Sequence, residues 1–230
     1  VTDAGSAGRR PGRDPRDGRH PVGHAEPDDP DRPRLFFAVP LPDDVREGIR
    51  PIRDAVQAAV GDGHARIRWV RIESLHLTLR FLGPTPLERA LVLGQAASIA
   101  AAEVPAFDVT IGGAGAFPAD GRPRTLWLGL QAGVEGLARL ASGIDRAMAG
   151  SDGPTADWQQ LGRGDRPFTP HLTIARTDGL RAGADAARRL IEVVGDRSWG
   201  FRADRIVLYR SHLGRGPAWY EPLSEARLVE

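Results

Sequence analysis

Two tetrapeptides, His76-Leu77-Thr78-Leu79 and His171-Leu172-Thr173-Ile174, stand 95 residues apart and carry the same pattern, His-x-Thr-aliphatic. Within each, His and Thr are two residues apart with aliphatics between and after them. That alternation is the signature of a half-buried β-strand, which sends His and Thr to one face and the aliphatics to the other. One His-x-Thr in a chain with six His means little; two copies with matched flanks are a repeat. If the two strands pack about a pseudo-two-fold axis, two imidazoles and two hydroxyls converge on one cleft. An imidazole titrates near pH ~6.5, so such a pair can hold one base and one acid at neutral pH. In-line displacement at phosphorus needs both, on opposite sides: a base for the attacking water and an acid for the departing alkoxide. The Thr hydroxyls can donate to non-bridging oxygens, and main-chain N–H groups or an Arg can add to that.

The elements that must hold these residues follow from periodicity. Arg34 to Val39 reads as a strand, closed by Pro40 and Pro42. A helix opens at Asp43 and Asp44, with Val45, Ile49, Ile52 and Val56 at helical spacing and Pro51 expected to kink or split it. Arg66–Val70 and Leu75–Leu82 read as strands, Pro86 to Ala102 as a helix, Ala106–Ile111 and Arg124–Leu130 as strands. Leu137, Leu140, Ile144 and Met148 form a core-facing helical stripe. A polar loop from Gly150 to Arg166 follows, then a strand over Thr169–Arg176, a helix over Ala184–Val194, and strands over Phe201–Tyr209 and Ala218–Leu228. The predicted class is α+β: two pseudo-symmetric lobes, each an antiparallel sheet with flanking helices, and the site in the cleft between them. Residues 1–33 are nearly devoid of apolar side chains and are expected to be a disordered tail ahead of the 34–230 domain.

Composition narrows the chemistry. The net charge is +1, so any RNA contact must be local rather than a global basic field. All 31 basic residues are Arg, which excludes Lys nucleophiles, Schiff bases and a lysyl-adenylate ligase. There is no Cys, hence no thiolate chemistry or zinc–thiolate site. No apolar run approaches the ~20 residues a spanning helix needs, and no hydrophobic signal core stands at the start; a soluble cytoplasmic protein is expected.

The paired motifs resemble the 2H phosphoesterase superfamily. Further stretches resemble its RNA 2′,3′-cyclic 3′-phosphodiesterase branch, also called the 2′-5′ RNA ligase family: Arg34-Leu-Phe-Phe-Ala-Val39, Leu75-His-Leu-Thr-Leu-Arg-Phe-Leu-Gly83, Pro123-Arg-Thr-Leu-Trp-Leu-Gly129, Arg166-Pro-Phe-Thr-Pro-His-Leu-Thr-Ile-Ala-Arg176 and Leu208-Tyr-Arg-Ser211. The resemblance implies a bilobal fold without metal or cofactor. It implies hydrolysis of 2′,3′-cyclic phosphate at RNA 3′ ends to a 2′-phosphomonoester, and an ATP-independent reverse ligation. His76 would be the acid to the departing 3′ oxygen and His171 the base on water, with Thr78 and Thr173 on phosphate oxygens. Arg124 matches a family Arg and is a candidate for phosphate or RNA contact. For Arg176 a solvated role outweighs a phosphate one; Phe81 is read as core, Trp158 as a base-stacking candidate, and His64 and His212 as surface or structural. His20 and His24 lie in the tail with nothing to fix a metal geometry. The expected partner is an RNA 3′ end, met by a monomer, with no membrane. Rival readings are another 2H activity (a small cyclic-nucleotide phosphodiesterase or an RNA 3′-end exonuclease), an RNA-end binding module without catalysis, and a metal-dependent hydrolase. The last lacks a His/Asp/Glu cluster with ligand spacing.

Overall fold

The computed structural model describes residues 29–61, 67–119, 121–150, 168–177, 181–213 and 217–230, with the side chains of 181 and 182 left out. Nine strands form one antiparallel sheet: β1 Arg34–Pro40, β2 Ile67–Trp69, β3 His76–Pro84, β4 Phe107–Phe117, β5 Thr125–Ala132, β6 Leu172–Thr177, β7 Ser198–Ala203, β8 Arg205–His212 and β9 Trp219–Arg227. Their order across the sheet is β7-β4-β5-β6-β3-β1-β8-β9, with β2 alongside β6. The order is palindromic in role. Each half sets a motif strand, β6 or β3, beside a short apolar strand, β5 or β1, and then two more. The expected α+β class with two related halves is present, but their sheets are fused. β3 and β6 meet through a single residue pair, Leu77 opposite Leu172.

Among the described residues four α-helices cover one face: α1 Asp43–Val60, α2 Ala90–Ala102, α3 Val134–Ala149 and α4 Arg181–Val194. They interlock the halves instead of giving two lobes in chain order. α1 follows β1 yet packs on α4 and β7 of the other half, while α3 follows β5 yet packs on α2 and β3. α2 and α3 approach closely because the buried face of α2 is mostly Ala96, Ala97, Ala100 and Ala101, with Gly143 of α3 against Ala100. Val45, Ile49, Ile52 and Val56 are all buried on α1, as their spacing requires. Pro51 sits inside that helix without splitting it.

Alternation along the strands separates two faces. On β1, Leu35, Phe37 and Val39 join the core under the helices, whereas Phe36 and Ala38 turn to the opposite face. The sequence expectation of one strand over Phe201–Tyr209 fails at Asp204, where the chain leaves β7 at one sheet edge and enters β8 beside β1. The core-facing residues change parity across that break, from Phe201 and Ala203 in β7 to Ile206 and Leu208 in β8. Residues 31 and 33 already belong to the folded unit: the Asp31 and Pro33 carbonyls accept from the Leu87 and Thr85 amides at 3.3 and 2.9 Å. Residues 1–28 of the expected tail, with His20 and His24, and also His64 and the loop bearing Trp158 lie outside the described residues.

Candidate active site

The face away from the helices carries the motifs. His76 and Thr78 of β3 share it, as do Thr173 of β6 and His171 just before it, and the seam pair Leu77–Leu172 sets the two motifs side by side. Each imidazole is mounted in the same way. His76 Nδ1–H donates to the Ser74 carbonyl at 2.8 Å, and His171 Nδ1–H donates to the Thr169 carbonyl at 2.8 Å. A carbonyl can only accept, so the proton of each neutral ring is on Nδ1 and each Nε2 presents a lone pair. Nε2 of His76 accepts from the Thr78 hydroxyl at 3.0 Å. Among the described residues Nε2 of His171 has no partner.

Aromatic rings hold both imidazoles. Phe36 lies 4.8 Å from His76, Tyr220 meets it edge-on at 5.0 Å, and Phe117 meets His171 edge-on at 5.1 Å. Phe117 in turn leans on Trp127 at 5.0 Å. Trp127 lies flat over its cross-strand partner Gly115, where an added Cβ would stand 2.3 Å from the indole. Gly115→Ala is therefore expected to push Trp127 off its floor, costing about 1–3 kcal/mol and loosening His171 through Phe117; thermal unfolding and turnover of the variant check both.

Beyond the tetrapeptides the two strands share a backbone device. Trp127 opposes Thr173 but Leu126 opposes Ala175, so Ile174 is an extra residue in β6. Ala38 opposes Thr78 but Phe37 opposes Arg80, so Leu79 is extra in β3. A β-bulge at the same position of each motif shifts the alternation by one. The fifth residue after each His, which a regular strand would turn towards the helices, joins the cleft face instead. In β6 that residue is Arg176, opposite Thr125, to whose hydroxyl its guanidinium donates at 3.4 Å. In β3 it is Phe81, opposite Phe36 and 46% exposed, so the expectation that Phe81 is core is corrected. The fourth residue after His76, Arg80, is turned to the core, 3.4 Å from Asp145 of α3.

Arg176 is the cation of the cleft. Its charge acts on His76, His171 and the Tyr220 phenol alike. Burial, chiefly, and then Arg176 and the neighbouring His171 push His76 down to about 4, against the opposing pull of the Ser74 carbonyl. Burial and Arg176 also lower His171. The empty cleft at neutral pH thus holds two neutral imidazoles and one guanidinium, which is a receptor for an anion. Arg124 stands one residue before β5, exposed; its N–H donates to the Phe117 carbonyl at 2.7 Å and its carbonyl accepts from Thr177 at 2.9 Å. Its guanidinium has no described link to the histidines. His212 is structural: it stacks on Trp219 at 3.8 Å, and its Nε2–H donates to Glu221 at 2.8 Å. Among the described residues no three His, Cys, Asp or Glu side chains group as a metal site would require, and no helix is long and apolar enough to cross a membrane.

Comparison with known proteins agrees with this geometry. An RNA 2′,3′-cyclic phosphodiesterase of Escherichia coli is 32% identical over 199 residues, covering 86% of this chain and 97% of that protein. One of Thermus thermophilus is 36% identical over 62% of this chain and 68% of its own. Among solved structures, E. coli LigT complexed with 3′-AMP superposes with a TM-score of 0.63 at 28% identity, covering 86% of this chain and 99% of that one. The model of the 2′-5′ RNA ligase superfamily matches residues 40–215. With both motif strands, β3 and β6, inside that match, the chain belongs to the 2′-5′ RNA ligase superfamily.

Proposed function

We propose that this protein hydrolyses 2′,3′-cyclic phosphate at RNA 3′ ends to a 2′-phosphomonoester, without metal, using His171 as base and His76 as acid. One observation carries the reading: two Nδ1-anchored imidazoles share a sheet face with two Thr hydroxyls and the Arg176 guanidinium, with adjoining residues paired across the seam. The names of the relatives supply the substrate class. The phosphate enters with its non-bridging oxygens towards Thr78, Thr173 and Arg176. Its negative charge offsets the burial, and the lesser repulsion from Arg176, that keep both rings neutral, so one proton is taken up and resides on His76. Water attacks phosphorus as His171 Nε2 removes its proton. The P–O3′ bond breaks as His76 Nε2–H donates to the departing oxygen. Arg176 and the hydroxyls stabilise charge on the phosphoryl oxygens, the part a metal plays in other phosphodiesterases. With an RNA 5′ hydroxyl attacking in place of water, the same two proton transfers, in the same direction, open the cyclic phosphate at P–O3′ and join the ends as a 2′-5′ linkage without ATP. Phe81, exposed on the cleft face beside Phe36, offers a ring for the terminal base to stack on. Arg124, exposed before β5, is placed to meet the RNA backbone rather than the reacting phosphate. The protein acts as a monomer, since one chain supplies both histidines.

The test is an oligonucleotide ending in 2′,3′-cyclic phosphate, incubated with the protein in chelator, with the new terminus identified. A 2′-phosphate is expected. A 3′-phosphate or a shortened RNA overturns the regiochemistry, and activity lost in chelator overturns the metal-free mechanism.

A further inference from the structure

Tyr220 closes the His76 side of the cleft, and the mechanism above leaves it unused. Its ring is fixed from two directions, edge-on to His76 at 5.0 Å and 89° and edge-on to Phe36 at 4.9 Å and 80°. Its mount is shared with the histidine. Ser74, whose carbonyl accepts the His76 Nδ1–H, donates from its hydroxyl to the Ala218 carbonyl at 3.4 Å, two residues ahead of Tyr220. The loop that aims the imidazole therefore also tethers the start of β9. A ring held this firmly presents its hydroxyl in one place at little entropic cost. Among the described residues that hydroxyl has no hydrogen-bond partner, and it is not among the oxygens sealed from solvent. A phenol at the mouth of a polar cleft with nothing to bind is poised for a ligand.

The two halves of the sheet differ in what they offer. At the bulge-shifted position β6 supplies the Arg176 guanidinium, a donor to phosphate, whereas β3 supplies Phe81, which donates nothing. On the His76 side the only motif donor is then Thr78, whose hydroxyl is turned to the imidazole. Tyr220 fills that deficit from the outermost strand.

We propose that the Tyr220 hydroxyl donates a hydrogen bond to a phosphate oxygen of the bound substrate on the His76 side, opposite Arg176, and is thereby a further catalytic residue of the reaction proposed above. Burial holds the phenol above its usual titration range, so it remains a donor at any working pH. It also lies within reach of the Arg176 charge across the cleft, as two groups gripping one anion must. Both donors grip the same phosphoryl group, one charged and one neutral, from the two halves of the sheet.

The inference rests on the proposed phosphodiesterase reading, and its test separates the two. Tyr220→Phe removes the oxygen and keeps the ring; Tyr220→Ala removes both. With a nucleoside 2′,3′-cyclic phosphate, Tyr220→Phe is expected to lower kcat/KM about 10- to 100-fold, the range for a hydrogen bond to a charged group. Its thermal midpoint should stay near that of the parent. The dissociation constant for inorganic phosphate, measured by calorimetry, is expected to rise by about 10-fold in the same variant. If Tyr220→Phe matches the parent in both measurements while Tyr220→Ala fails, the ring only props His76 and the proposal is overturned. If the parent does not hydrolyse cyclic phosphate yet Tyr220→Phe weakens phosphate binding, the contact stands and the reaction falls.

Discussion

His171→Ala and His76→Ala are each expected to lower kcat by about 10³-fold or more, the scale of lost general acid–base catalysis. The double variant should be scarcely worse than either single one, because proton removal and proton donation belong to one step. The fold should survive, since both rings lie on the open face and outside the core. The pH dependence is the sharper result. A histidine near 4 in the empty cleft is neutral at pH 7, so the singly protonated pair that catalysis needs is a minority form of the free enzyme. Its population falls about tenfold per pH unit above that value. Bound phosphate reverses the electrostatic sign around the rings and raises the acid's pKa. kcat/KM, which reports the free enzyme, should therefore peak at lower pH than kcat, which reports the complex. Rates measured from pH 4 to 8 with a cyclic mononucleotide check this, and coincident optima would count against substrate-driven protonation. The same depression bears on stability. The unfolded chain binds the proton near pH ~6.5 and the folded one only near 4. Stability from this group is thus full above the unfolded pKa and is lost as pH falls from that value towards 4.

Arg176→Ala is expected to cost about 10²–10³-fold in kcat/KM, as when one preorganised donor to a developing oxyanion is removed. A merely structural arginine would leave the pH profile in place. This one should not, because Arg176 lowers both histidines. Its removal raises both, so the kcat/KM optimum should move to higher pH even as the rate drops. Arg176→Lys keeps a charge but loses the planar fork and the reach to Thr125, and should recover the pH profile better than the rate. An unshifted optimum in Arg176→Ala would remove the guanidinium from the site.

The sequence reading succeeded where side-chain periodicity is local. His76, Thr78, His171 and Thr173 share a face because period two holds over three residues, and the buried stripes of α1 and α3 fall where their spacing puts them. It failed where the backbone changes phase. Leu79 and Ile174, the extra residues of the bulges, are ordinary strand formers with no Gly or Pro to announce an irregularity, so nothing local shows that Phe81 leaves the core or that Arg176 joins the cleft face. The one available signal was the repeat itself, since the position five after each His could have been compared between the copies. The change of sheet half at Asp204 did carry a signal, because the apolar alternation switches parity there, from Phe201 and Ala203 to Ile206 and Leu208. Tyr220 had no signal at all, because it reaches His76 only when the last strand folds back against β8. Trp127 needed the structure too, since only the ladder reveals Gly115 beneath it.

Elsewhere in the sheet neighbouring strands are zipped by ladders of several residues, but Leu77 and Leu172 are a solitary rung. The spacing of the two proton carriers is thus set by one backbone pairing between the halves of the sheet. From beneath, that rung is held by the common core into which Leu77 and Leu172 both pack, while the aromatic mounts on either bank set each ring's own aim.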